Sequence, residues 1–154
     1  MEPSYRESRM ILPKNLAIIA ALMLIASYAA ILVTDYFYDC SSDAINIACG
    51  VVFLIAIVIC FALRFTTEIY GDRIELKYIV KKTVIPFEHI IETKTGELNI
   101  IKSYTAWSLK GVKYHTYSAV GEDMGVGLKV TGKRVYYFST TDPDTVASLL
   151  PKGE

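Results

Sequence analysis

Cysteine is scarce in this chain of 154 residues: there are three, Cys40, Cys49 and Cys60, and none follows position 60. No C-x-x-C pair occurs, so neither a zinc site nor a disulfide framework is indicated. Cys49 and Cys60 sit inside an apolar run, where a thiol acts as a small polarisable side chain. An excess of charge of one sign is also missing. Sixteen Lys and Arg balance sixteen Asp and Glu, and from Phe65 onward twelve basic residues face eleven acidic ones. Binding to nucleic acid through phosphates calls for a positive excess, so nucleic acid is not an expected partner. Histidine is limited to His89 and His115, and no Ser or Cys stands in a G-x-S-x-G context that would make either a general base. The GEDMGVG run, Gly121–Gly127, lacks the order of a phosphate-binding loop and leads into a strand pattern. No catalytic residue, cofactor or metal is expected, and the chain is not read as an enzyme.

Charge is absent altogether from two stretches, Asn15–Val33 and Ala44–Leu63. At about 1.5 Å per residue, each is long enough as a helix to cross a hydrocarbon core of about 30 Å. Neither carries the polar stripe of a soluble helix. They predict a transmembrane hairpin over 15–63, with helices at 15–33 and 44–63 and an outer loop at 34–43. The Ala17/Ala21, Ala26/Ala30 and Ala44/Ala48 pairs, at four-residue spacing, permit close helix approach.

Basic residues fix the expected orientation. Arg6, Arg9 and Lys14 precede the first helix, and Arg64, Arg73 and Lys77 follow the second. The loop between them holds Asp35, Asp39 and Asp43 but no Lys or Arg. The positive-inside rule then puts residues 1–14, a short N-terminal segment, and residues 64–154 in the cytoplasm. The expected location is the cell membrane, as a multi-pass protein with both termini cytoplasmic. Almost no tether separates Leu63 from the next strand pattern, so the soluble part should stay close to the bilayer.

From Thr66 the continuous apolar pattern gives way to alternation. Thr66–Tyr70 and Arg73–Val80 flank Gly71-Asp72 as a hairpin, with Ile74, Leu76, Tyr78 and Val80 on one face. Lys81-Lys82 reads as the next turn, Thr83–Ile85 as a third strand, and Phe87–Ile91 as a short helical turn. Strands are expected at Ile90–Thr95 and Leu98–Tyr104, and a hairpin at Gly125–Thr131 and Arg134–Ser139 around Gly132-Lys133. Asp142, Pro143 and Asp144 open a final helix carrying Val146, Leu149 and Leu150.

Four features of this region resemble the bacterial-type pleckstrin-homology-like (PH-like) domain. They are the Glu68–Ile74 hairpin, the Ile85–Ile90 step, the glycine-and-tyrosine stretch Gly111–Gly121, and the ending Tyr137–Asp144 before the helix. The resemblance implies an α+β protein: two transmembrane helices, then an antiparallel β-barrel of about seven strands with a C-terminal helix. It also implies an interaction or assembly module without catalytic activity.

The expected function is therefore a membrane-anchored, non-enzymatic binding or assembly module at the cytoplasmic face, with the lipid bilayer and a protein partner or a second copy of itself as partners. The alternative is a sensor of a lipid headgroup or small ligand at the inner leaflet. Lys77, Lys81 and Lys82 are the candidate headgroup contacts, each contributing about 1 kcal/mol against anionic lipid. Tyr114, Tyr117 and Tyr136 are the candidate partner patch, since exposed tyrosines favour interfaces.

Overall fold

Two long apolar runs dictate the first unit. The computed structural model describes residues 2–97 and 113–151. Within it, α1 spans Lys14–Tyr38 and α2 spans Asp43–Ala62. Both are long and apolar enough to cross a membrane, and α2 has no buried residue. Most of their large apolar side chains are exposed, as in helices solvated by lipid.

α1 runs further than its uncharged stretch and takes up half of the expected outer loop. It ends where Asp39 adopts a left-handed backbone and its N–H donates to the Asp35 carbonyl. Asp35 explains the extension. One of its carboxylate oxygens accepts the Ser41 N–H and hydroxyl, both at 2.6 Å, and the other accepts the Asn46 amide at 2.6 Å. The turn between the helices is thus reduced to residues 39–42 and tied to both of them.

Of the three alanine pairs, only Ala17/Ala21 is buried. A close approach of the two helices is made at Tyr28. The Tyr28 hydroxyl donates to the Asn46 carbonyl at 3.0 Å, and its ring lies 5.5 Å from that of Phe53. A Cβ at Gly50 would stand 2.6 Å from the Tyr28 hydroxyl oxygen. Gly50→Ala is expected to push Tyr28 off Asn46 and to destabilise the hairpin by about 1–2 kcal/mol, the scale of local overpacking. A lower Tm of the detergent-solubilised chain checks this.

The second unit is built from Met1–Ile11 together with Arg64–Glu154. Residues ahead of α1 form a strand, β1 (Tyr5–Met10), which pairs antiparallel with β2 (Arg64–Ile69) from Tyr5↔Ile69 to Met10↔Arg64. The N-terminal segment is therefore an integral edge of the β domain. β3 (Arg73–Tyr78) and β4 (Lys81–Pro86) complete a four-stranded sheet in the order β1-β2-β3-β4. A 3₁₀ turn at Phe87–His89 follows Pro86.

The second sheet comprises β5 (Ile90–Glu97), β6 (Lys113–Tyr117), β7 (Met124–Val130) and β8 (Arg134–Ser139) in the order β5-β7-β8-β6. Its β7–β8 hairpin turns at Gly132 and Lys133 as expected, both with positive φ. β6 joins β8 in parallel. The last helix, α3 (Pro143–Leu149), is capped by Asp142, whose carboxylate accepts the Thr145 N–H at 3.1 Å. Val146 and Leu150 of its apolar side are buried, whereas Leu149 is exposed. The expected strand at Leu98–Tyr104, and Gly111 in the glycine-and-tyrosine stretch, lie outside the described residues.

Two expectations are corrected. The chain is α+β, with three helices and eight strands among the described residues, but no backbone ladder joins the two sheets there and they do not close into a barrel. They meet through side chains instead. Phe65 of β2 stacks on Tyr117 of β6 at 6.3 Å, and Thr83 of β4 shares a 3.0 Å hydrogen bond with the Tyr117 hydroxyl. Phe65, Ile69, Ile74 and Leu76 from one sheet, and Val126, Leu128 and Phe138 from the other, are all buried. Each contributes about 1.5–3 kcal/mol of apolar burial.

The second correction concerns the turn after β3, which uses Ile79-Val80 rather than Lys81-Lys82. With Tyr78 opposite Lys81, the register sets Ile74 against Ile85 and buries both. A turn two residues later would shift that pairing and take Ile85 out of register with Ile74.

Candidate functional site

Alternation sorts the side chains of the first sheet onto two faces. Tyr5, Glu7 and Arg9 of β1 lie on the same face as Phe65, Thr67 and Ile69 of β2. Arg6, Ser8 and Met10 lie on the other, with Arg64, Thr66 and Glu68. This second face continues into Arg73, Glu75 and Lys77 of β3 and Lys82 of β4.

The second face carries an ionic ladder. Glu68 and Glu75 stand directly opposite each other on β2 and β3, an arrangement of like charges that is unfavourable alone. Each is held between two cations. Glu68 pairs with Lys77 at 2.6 Å and Arg6 at 3.3 Å, and Glu75 with Lys82 at 2.9 Å and Arg73 at 3.1 Å. The hydrogen bond from Lys77 holds the Glu68 carboxyl below the usual carboxylate range, and that from Lys82 does the same for Glu75. Glu68 in turn raises Lys77.

The candidate headgroup lysines are therefore not one cluster. Lys77 and Lys82 are bound into the ladder, while Lys81, opposite Tyr78, falls on the other face of the sheet. What groups all three is proximity along the chain. A strand sends neighbours to opposite faces, and this separates Lys81 from Lys82.

The candidate tyrosine patch is divided as well. Tyr117 and Tyr136 are only 5% and 6% exposed, and they stack with ring centroids 6.4 Å apart. They are core residues and do not form a surface patch. Tyr114 is 47% exposed and stacks on Tyr137 at 6.1 Å. The division follows from β6, whose alternate positions face inward at Tyr117 and outward at Tyr114.

His115 lies flat against Tyr136 at 5.0 Å. Burial lowers its pKa, and Lys81, Arg134 and Lys113 lower it further. It is neutral at neutral pH, and protonating it opposes folding. His89 sits at the surface, 3.7 Å from Glu88. No group of three His, Cys, Asp or Glu placed to hold a metal ion occurs among the described residues.

A third cluster had no sequence signal. Glu7, pointing inward from β1, accepts the Thr140 hydroxyl at 2.6 Å, the Thr141 N–H at 3.1 Å, the Thr141 hydroxyl at 2.7 Å and the Tyr5 hydroxyl at 3.0 Å. Arg9, on the same face, lies 3.5 Å from Glu7 and also bonds to Glu122. Burial is the largest influence on Glu7 and raises its pKa, but the hydrogen bonds from Thr140 and Thr141 outweigh it and the net shift is downward. Two strand residues from before α1 thereby fasten the N-terminal strand to the segments that follow β6 and β8. The Ile11 carbonyl, accepting the Val120 N–H at 2.8 Å, adds a main-chain link.

No family model, curated protein or solved structure matches the chain. What distinguishes it must be read from its own geometry. Its feature of widest consequence is that one β domain is assembled from both sides of a two-helix insertion.

Proposed function

We propose that this chain is a membrane-anchored, non-enzymatic binding or assembly module, whose β domain sits at the cytoplasmic face and follows a PH-like plan. The observation that carries the reading is the pairing of β1 with β2. Their ladder ends at Met10↔Arg64, immediately outside the two helices. A hairpin whose flanking residues are cross-strand partners must leave and re-enter on the same side of the bilayer. The basic residues Arg6, Arg9, Lys14, Arg64 and Arg73, against a turn without Lys or Arg, support the cytoplasm as that side.

Support for the PH-like plan comes from two sheets packed over one core and a C-terminal helix opened by Asp142 and Pro143. The binding role rests on the β4 edge. β4 pairs only with β3 among the described residues, and Val84 on it is exposed. Such an edge accepts a strand from a protein partner or from another copy. Purification in mild detergent, followed by mass measurement, tests the role: an oligomer or a co-purifying protein is expected. A strict monomer with no companion would contradict the assembly role.

A further inference from the structure

The β3–β4 turn is unlike an ordinary surface turn. A two-residue hairpin turn in water favours Asn and Gly, which tolerate positive φ and accept hydration. Here the two residues are Ile79 and Val80. Ile79 has a φ of 57°, a region that β-branched residues rarely enter. Val80 is 97% exposed and Ile79 53%. Both backbone preference and hydration argue against this pair in a turn surrounded by water, and outliers of this kind point to function.

The surroundings of the turn are basic. The Ile79 N–H donates to the Arg64 carbonyl, so the turn lies at the end of the sheet where the chain has just left α2. Tyr78 also contacts Tyr117 of β6, at 5.6 Å. This contact, with the Thr83–Tyr117 hydrogen bond, brings the β3–β4 hairpin beside Tyr117 at the end of β6, two residues from His115. His115 accordingly feels Lys81, Arg134 and Lys113 together, and Lys113 and Arg134 are direct partners in the ladder. Arg64, Lys81, Lys113, Lys133 and Arg134 are all exposed, and none forms an ion pair among the described residues. Each cation of the ladder pairs with a carboxylate, whereas these five pair with none among the described residues.

We infer that the Ile79-Val80 turn, flanked by Arg64 and Lys81 and backed by Lys113, Lys133 and Arg134 on the second sheet, is a second membrane contact that inserts its apolar tip into an anionic leaflet. The inference rests on the membrane reading proposed above and deepens it. The occupant is the bilayer itself. Its apolar interior takes Val80, its anionic headgroups match the five cations, and its surface begins where α2 ends. Each basic residue near such a surface adds attraction that falls off within a Debye length. The contact holds the β domain at one height and leaves the β4 edge facing a partner at the membrane.

The test uses the full chain with Cys40, Cys49 and Cys60 replaced by alanine, in lipid nanodiscs of phosphatidylcholine with or without one third phosphatidylglycerol. Single cysteines at Val80→Cys, Asp72→Cys and Val52→Cys carry an environment-sensitive fluorophore, and doxyl-labelled lipid is the quencher. Asp72 marks the opposite end of the sheet and Val52 the middle of α2. In anionic discs, the label at position 80 is expected to be quenched several-fold more than that at 72 and to approach that at 52. In neutral discs, or with Lys81→Gln and Arg134→Gln, this quenching should fall by at least half. Position 80 reading like position 72, while 52 is quenched, would overturn the inference and leave the membrane anchor standing. An unquenched label at 52 would overturn both. Equal quenching at position 80 in both lipid compositions would overturn the part given to the basic residues.

Discussion

Deleting residues 2–10 from the otherwise intact chain is expected to unfold the β domain while leaving the two helices formed. The deletion removes β1 and with it six cross-strand positions on β2. It also removes the Glu7 hydrogen bonds to Thr140 and Thr141 and the Arg9–Glu122 pair. Cross-strand pairs contribute about 0.2–1 kcal/mol each, and a charge-assisted hydrogen bond about 1.5–3 kcal/mol. Together these losses match the low end of domain stability, about 5 kcal/mol. Loss of the near-UV circular dichroism of the tyrosines, with helical far-UV signal retained, checks the result. The converse is equally specific. Met10 and Arg64 are cross-strand partners, so a short turn containing Asn-Gly can join Ile11 to Arg64 in place of residues 12–63. The product should be a folded, water-soluble domain with dispersed amide resonances.

Glu7→Gln is the point substitution with the largest expected effect. One carboxylate oxygen of Glu7 takes two donors from Thr141, and the other takes the hydroxyls of Thr140 and Tyr5. Glutamine presents an NH₂ to one of these pairs, which either opposes the Thr141 N–H or turns the Thr140 and Tyr5 hydroxyls from donors to acceptors, and the charge that strengthens all four bonds is lost. The cost is about 2–3 kcal/mol, the range for losing hydrogen bonds to a charged group in a partly buried site. The pH dependence has a definite sign. Because the Glu7 pKa is lowered in the folded chain, its stabilisation is fully present above the unfolded carboxyl value of about 4.3. It disappears as pH falls through the folded value. The Tm gap between the parent and Glu7→Gln should therefore be wide at neutral pH and narrow at acid pH. A gap that stays constant across this range would show that the carboxylate charge is not the source.

The legible and illegible parts of the sequence differ for physical reasons. α2 is legible at its observed length because an uncharged run as long as a bilayer has few alternatives. The end of α1 is not legible because Thr34–Tyr38 is polar and aromatic, and its helical state depends on Asp35 reaching Ser41 and Asn46. β1 is not legible as a strand because the residues it turns inward are Tyr5, Glu7 and Arg9. Its pattern therefore lacks the apolar alternation that marks an edge strand, and its partner lies beyond the whole hairpin. The C-terminal cap was legible, since Asp142-Pro143 acts within one turn of its own helix. Among the site residues, separation by strand alternation decided the outcome. Lys81 parted from Lys77 and Lys82, and Tyr114 from Tyr117 and Tyr136, because strand alternation and the depth of each position set exposure. The Ile79-Val80 turn was hidden by its composition, which favours strand.

The central claim is that the strands on either side of the two helices pair with each other in the membrane-embedded protein. A chain with its native cysteines replaced and Ser8→Cys and Thr66→Cys introduced tests it most directly. These two side chains face each other on β1 and β2, with hydroxyl oxygens 3.1 Å apart, a spacing suited to a disulfide after small adjustment. Thr66→Cys with Lys77→Cys, joining β2 to β3, reports that oxidation has worked. Mild oxidation of isolated membranes is predicted to join positions 8 and 66 within one chain as readily as the control pair. Formation of the control disulfide without the 8–66 disulfide would contradict the account.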